Sequence, residues 1–140
     1  MNSMKKILIL SALLLPMFSI SQQDMDSIDI KCDKCMNLDS NSSTNSMISC
    51  LSSATEEWEK EMNNYYNLLT EQLSSESVKL LYHSQEVWLN YLEAQISYLS
   101  SYYHSDMLGG NHLERAEEIK SLVRKRALEL RSQYEDFIDQ

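Results

Sequence analysis

The chain has 140 residues, enough for one domain, and carries 21 acidic against 12 basic residues for a formal charge of −9. So acidic a balance argues against electrostatic attachment to nucleic acid or to an anionic membrane; it suits a cationic partner, or simply a soluble surface. One proline and two glycines in the whole sequence leave room for long, unbroken helices.

The first residues have the three parts of a secretory leader. Lys5 and Lys6 form a basic start, Ile7 to Leu15 a short apolar run, and Pro16 a break, followed by Ser19-Ile20-Ser21 before Gln22. The apolar run falls short of the ~20 residues a membrane span needs. No cysteine stands at the cleavage point to take a lipid. Residues 1–21 are therefore expected to be a cleaved signal peptide, with the mature chain periplasmic or secreted and not inserted in the membrane. Removing them takes away two lysines and no acid, which brings the formal charge to −11. Export permits disulfides. The cysteines are Cys32, Cys35 and Cys50, an odd number that leaves one free or paired between two chains as a dimer.

Residues 22–46 are polar, without a clear period, and read as a flexible N-terminal segment holding Cys32 and Cys35 in a loop. Thr44, Asn45 or Ser46 offers a helix cap. The first helix is expected from about Met47 to Leu73, with Met47, Leu51, Ala54, Trp58, Met62, Tyr65, Leu69 and Leu73 as its apolar seam. Glu56, Glu57, Glu59 and Glu61 mark an acid-rich flank. After a break at Ser74 to Ser77, a second helix runs to about Tyr103. Leu81, Ser84, Gln85, Trp88, Tyr91, Leu92 and Gln95 form its stripe, centred on Trp88. Gln85 is polar within that stripe, so it needs a hydrogen-bond partner if buried. The tyrosine- and serine-rich end, Tyr98 to His104, has the composition of binding surfaces, though such residues also pack at the wet end of a bundle. Gly109-Gly110 reads as a stop and turn. A third helix, about Leu113 to Ile138, has the seam Leu113, Ala116, Ile119, Val123, Ala127, Leu130, Tyr134 and Phe137. Its Lys120, Arg124, Lys125, Arg126 and Arg131 suit a place beside the acidic first helix. The whole reads as all-α, an up-down-up bundle of three long helices over residues 47–140 with an N-terminal disulfide-tied segment.

Chemistry has few footholds. Cys32-x-x-Cys35 has thioredoxin spacing, but that motif works at a helix N-terminus in a βαβ setting, which this chain lacks. Three cysteines with His83, His104 or His112 do not make a finger-like zinc pattern. No serine elbow, phosphate loop or His-Glu metal motif is present. A non-enzyme without metal or cofactor is the expectation.

Several motifs occur in a family order: Ser42-Ser43-Thr44, Met47-x-x-Cys50, Glu61-Met62-Asn63-Asn64-Tyr65, Leu81-x-x-x-Gln85-x-x-Trp88-x-x-Tyr91, Gly109-Gly110 and Arg126-Ala127-x-x-Leu130-Arg131. Together they resemble the small secreted domain named after the LprI lysozyme inhibitor of mycobacteria, over nearly all of the mature chain. The resemblance implies that an early cysteine pairs with Cys50. Cys35, nearer the Ser/Thr link, is the expected partner, and Cys32 the alternative. It also implies that Gln85, Trp88 and Tyr91 are motif and core residues. Two departures stand out. Leu92 replaces the family's usual arginine, and Ile96 and His112 stand about where a second cysteine pair is usual. By resemblance the chain is a binding protein for a lysozyme or another cell-wall hydrolase, meeting a cationic muramidase through Glu56, Glu57, Glu59 and Glu61. The competing class is a structural or stress-related envelope protein with another partner.

Overall fold

The computed structural model describes residues 26–104 and 111–139. The described residues form four helices: α1 (Ser27–Met36), α2 (Thr44–Gln72), α3 (Ser75–Tyr103) and α4 (His112–Ile138), with a single 3₁₀ turn at Asp39–Asn41. The expected leader and the glycine pair lie outside the described residues.

Each helix starts on a side-chain cap. Asp26 accepts from the Ile28 N–H, Ser43 from Ser46, Ser74 from Ser77 and Asn111 from Glu114. The caps set the boundaries more tightly than periodicity does. Ser43, rather than Thr44 to Ser46, opens α2, and Ser74 opens α3. Only Leu73 and Ser74, both extended, separate α2 from α3.

The contacts fix the directions. Arg115 donates to Ser100, and Arg126 to Gln85, so α3 and α4 are antiparallel. Arg124 and Arg131 stack on Trp58, and Tyr134 meets Tyr65, so α2 and α4 are parallel. This is the expected up-down-up order, with a fourth helix added. α1 runs against the α2–α4 pair on the side away from α3: Arg131 binds Asp26 at 2.6 Å and Arg124 binds Asp29 at 2.7 Å.

The segment read as a flexible loop is therefore partly helix, with Cys32-x-x-Cys35 in its last turns. α1 escaped the sequence reading because ten residues show too little period, and its buried face is only Ile28 and Cys32. The core lies on α2 and α4. Leu51, Trp58, Val123 and Leu130 are wholly buried, with Ala54, Met62, Leu69 and Ala127 around them. α3 buries only Gln85, Leu99 and Tyr103.

Trp58, not Trp88, is the hub. Its indole N–H donates to Asp29 at 3.2 Å. The Arg124 and Arg131 guanidiniums lie 5.4 and 5.6 Å from its ring. Trp88 is half-buried at the edge of the core, and Tyr91 is 46% exposed, so neither is the centre of anything buried. Of the expected stripe, Leu81, Gln85, Trp88 and Leu92 face the core, while Ser84 and Tyr91 on its flank are exposed. The inward face of α3 follows Leu81, Gln85, Trp88, Leu92, Leu99 and Tyr103, which carries Tyr91 round towards solvent.

Cys35 and Cys50 form a disulfide, Cα–Cα 5.8 Å, closing a 15-residue separation between α1 and α2. In the chain-entropy picture such a loop is worth ~3 kcal/mol. Cys32 is the free thiol, 3% exposed. A dimer through the unpaired cysteine is thereby corrected: the sulfur is sealed under α1 and cannot reach another chain without undocking the helix. Burial pushes that thiol up, helped by Glu117, Asp33 and Asp29 and opposed by Lys120, so it stays protonated and a poor nucleophile.

Candidate functional site

Arg126 is the unexpected residue. It lies on α4, is buried, and spends its donors across helices. Its Nε donates to Gln85 Oε1 at 3.0 Å, one terminal nitrogen to Ser84 Oγ at 3.2 Å, and the other to Glu129 at 3.0 Å. The Gln85 amide in turn donates to Met62 Sδ at 3.5 Å. Gln85 thus receives the partner its burial demands, and α2, α3 and α4 are joined at one point. Arg126 also brings a guanidinium to the motif region in a chain whose α3 has Leu92 instead of an arginine. Leu92 itself packs on the core.

Beside this node α2 and α3 diverge into a cleft of about 380 Å³, lined by Asn63 and Tyr66 from α2 and by Tyr82, Gln85, Glu86, Leu89 and Asn90 from α3. Gln85 forms its floor, Tyr66, Tyr82 and Leu89 are apolar walls, and Asn63 and Asn90 add amides. Glu86 sits at the rim, 3.6 Å from His83. At about 100° per residue, Glu59 lies one turn from Asn63 on the same face of α2, and Glu93 lies one turn from Asn90 on α3. Both are exposed.

The four glutamates expected as a contact surface do not share one face of α2. Their spacing spreads them around α2 rather than along it. Glu57 pairs with Lys31 of α1, and Glu61 with Arg131 at 3.5 Å. Glu56 faces a separate depression beside Arg115 and Ile119. Glu59 alone is placed towards the cleft.

Elsewhere the ionisable groups serve packing. Burial pushes the Asp26 carboxyl up, but the hydrogen bonds from Arg131 and the Ile28 N–H and the charges of Arg131 and Arg124 outweigh it, holding the group below its ordinary value. Tyr103 donates to Glu118, and that bond, with burial, pushes its hydroxyl up to about 12. Of the tyrosine-rich end, Tyr98 and Tyr102 are exposed and stacked. Among the described residues no three His, Cys, Asp or Glu side chains are grouped to hold a metal ion. Among those residues, too, no helix is long and apolar enough to cross a membrane.

A small all-helical domain, tied by one disulfide and carrying an open cleft of mixed apolar and amide character, is the class that fold and cleft define. Within that class the chain belongs to the lysozyme inhibitor LprI family, whose sequence profile matches residues 35–130. The match begins at the first disulfide cysteine, so most of α1 lies outside it. No curated protein matches the chain. In fold it is similar to the crystal structure of an uncharacterised protein from Burkholderia thailandensis, with a TM-score of 0.69 at 24% identity. That alignment covers 82% of this chain and 57% of the other, so the chain spans little more than half of that protein's length.

Proposed function

We propose that the chain is an exported, non-enzymatic inhibitor of a cationic lysozyme-type muramidase, and that the α2–α3 cleft is its contact site. Membership of the LprI family is the observation that carries this reading. The acidic balance and the cleft chemistry agree with it. Tyrosine and leucine walls suit an inserted apolar side chain, asparagines suit its backbone, and the carboxylates Glu59, Glu86 and Glu93 suit lysine or arginine around it. Opposite net charges speed encounter, and added salt slows it. Residues 1–21 act as the leader, cut between Ser21 and Gln22, and the mature protein works in the periplasm or outside the cell.

The test is the loss of turbidity of bacterial walls under a cationic lysozyme, with the exported protein added at low and high salt. Inhibition should be present, weaken with salt, and fall on charge reversal of Glu59 and Glu86 but not of Glu57. No inhibition at micromolar excess in low salt would refute the function. Inhibition indifferent to these reversals would keep the function and discard the cleft. The intact mass of the exported protein should begin at Gln22.

A further inference from the structure

Helix α3 carries a second stripe, apolar but for Ser84; apart from Ser84, which accepts from Arg126, neither the core nor the cleft uses it. Leu80, Ser84, Val87, Tyr91, Ala94 and Tyr98 step by four and three residues, the spacing of a coiled-coil seam. Taken from the inward-facing Gln85, these positions lie roughly 100° to 180° round the helix, on the side away from the cleft. Leu80 is 68% exposed, Val87 53% and Tyr98 58%, and Tyr91 lies midway along the row. A helix apolar on more than its packed face has a further interface to make.

We propose that a second copy of this chain covers that stripe, as an antiparallel α3–α3 pair with Tyr91 on the two-fold axis. Three observations select this occupant. The first is charge. No residue of the stripe is ionisable near neutral pH, although the chain as a whole is −9. A cationic partner finds no carboxylate in the stripe itself, whereas a second copy offers an equally neutral row; Glu129 stands beyond it, on α4. Glu86 and Glu93 point to the cleft side and stay clear of the axis.

The second observation is self-complementarity, which a two-fold interface requires. With Tyr91 opposite itself, Tyr98 of one copy meets Ser84 of the other, and Trp88 at the stripe's edge meets Ala94. Large side chains fall against small ones on both sides of the axis. Next to the stripe, Trp88, Tyr91 and Leu122, with Lys125, Arg126 and Glu129 of α4, line a groove of about 230 Å³, which can receive the partner's Tyr98 and its hydroxyl.

The third observation is area. The exposed parts of Leu80, Val87, Tyr91 and Tyr98 amount to roughly 400–500 Å² per copy, against about 800 Å² per partner in a standard interface. Ser84, Ala94, Gln95, Trp88 and the groove bring the total to the low end of that class. The pair is therefore a reversible dimer.

The experiment is sedimentation equilibrium of the protein exported under its own leader, between about 1 and 100 µM. The expected mass rises from one to two copies across this range. Val87→Glu, at an exposed position, should hold the mass at one copy with unchanged helical circular dichroism, and Glu93→Gln should leave the dimer intact. In a Cys32→Ser background, mild oxidation of Tyr91→Cys should link two copies, because an on-axis residue meets itself, and Glu93→Cys should not. A monomer at the highest concentration would overturn the proposal, as would a dimer untouched by Val87→Glu. Equal linking of Glu93→Cys would do the same. A monomer whose inhibition weakens on Val87→Glu would instead give the stripe to the muramidase and also overturn it.

Discussion

Helices α2 and α3 have the same length, 29 residues, yet stand in opposite relations to the fold. α2 buries six residues in one seam, and Trp58 at its middle is enclosed by two arginines and an aspartate. α3 buries three, one of them a glutamine, and leaves leucine, valine and tyrosine in solvent. A helix that exists to hold the fold concentrates its apolar residues in one stripe. A helix that also meets partners spreads them, and its packing is maintained by a few specific bonds instead. Here those bonds include the ones Arg126 makes to Gln85 and Ser84, Arg115 to Ser100, and Tyr103 to Glu118.

The widest gap between the two regions should appear on truncating the two tryptophans. Trp58→Ala should cost ~3–5 kcal/mol in a denaturant titration, while the half-buried Trp88→Ala should cost only ~1–2. Equal losses would abolish the distinction. Removing the Cys35–Cys50 bridge by a double serine replacement should cost ~3 kcal/mol and loosen α1 from α2, read as faster amide exchange in α1 than in α3. Smaller still is the α3 anchor. Gln85→Ala leaves the buried Arg126 one acceptor short and should cost ~1–3 kcal/mol, whereas replacing Gln85 and Arg126 together by leucine and methionine should recover much of it.

The acid limb of stability belongs to the α1 side. The Asp26 carboxyl is held below its ordinary 3.8, so its contribution is complete above that value and disappears as pH falls through the lower folded-state pKa. Asp26→Asn should flatten the stability–pH curve below about pH 4 and leave its neutral-to-alkaline slope unchanged.

The same contrast explains how much could be read from the chain. The seams of α2 and α4 were legible because one face alone is apolar: Leu51, Ala54, Trp58 and Met62 on the first, Val123, Ala127 and Leu130 on the second, are all core. α3 was legible as a helix, and Leu81, Gln85, Trp88 and Leu92 of its stripe do face the core, but Ser84 and Tyr91 do not, since apolar residues on its other faces blur the edge of the period. α1 is too short to show one. Arg126 read as one of five bases suited to lie beside the acidic first helix, because nothing local reports that Gln85, 41 residues earlier, needs a donor. The cysteine pairing came from the family resemblance and not from spacing, which left Cys32 and Cys35 equivalent. The cleft was missed because its walls come from two helices whose closeness is a tertiary fact.

Leu89 tests the central division most directly, because it lines the cleft and is nearly half exposed. Leu89→Asp should be measured for unfolding midpoint and for muramidase inhibition on the same sample. The account predicts a midpoint within about 2 °C of the parent, as for a surface change of under ~0.5 kcal/mol, together with at least a tenfold loss of inhibition. Full inhibition by an equally stable variant would contradict it.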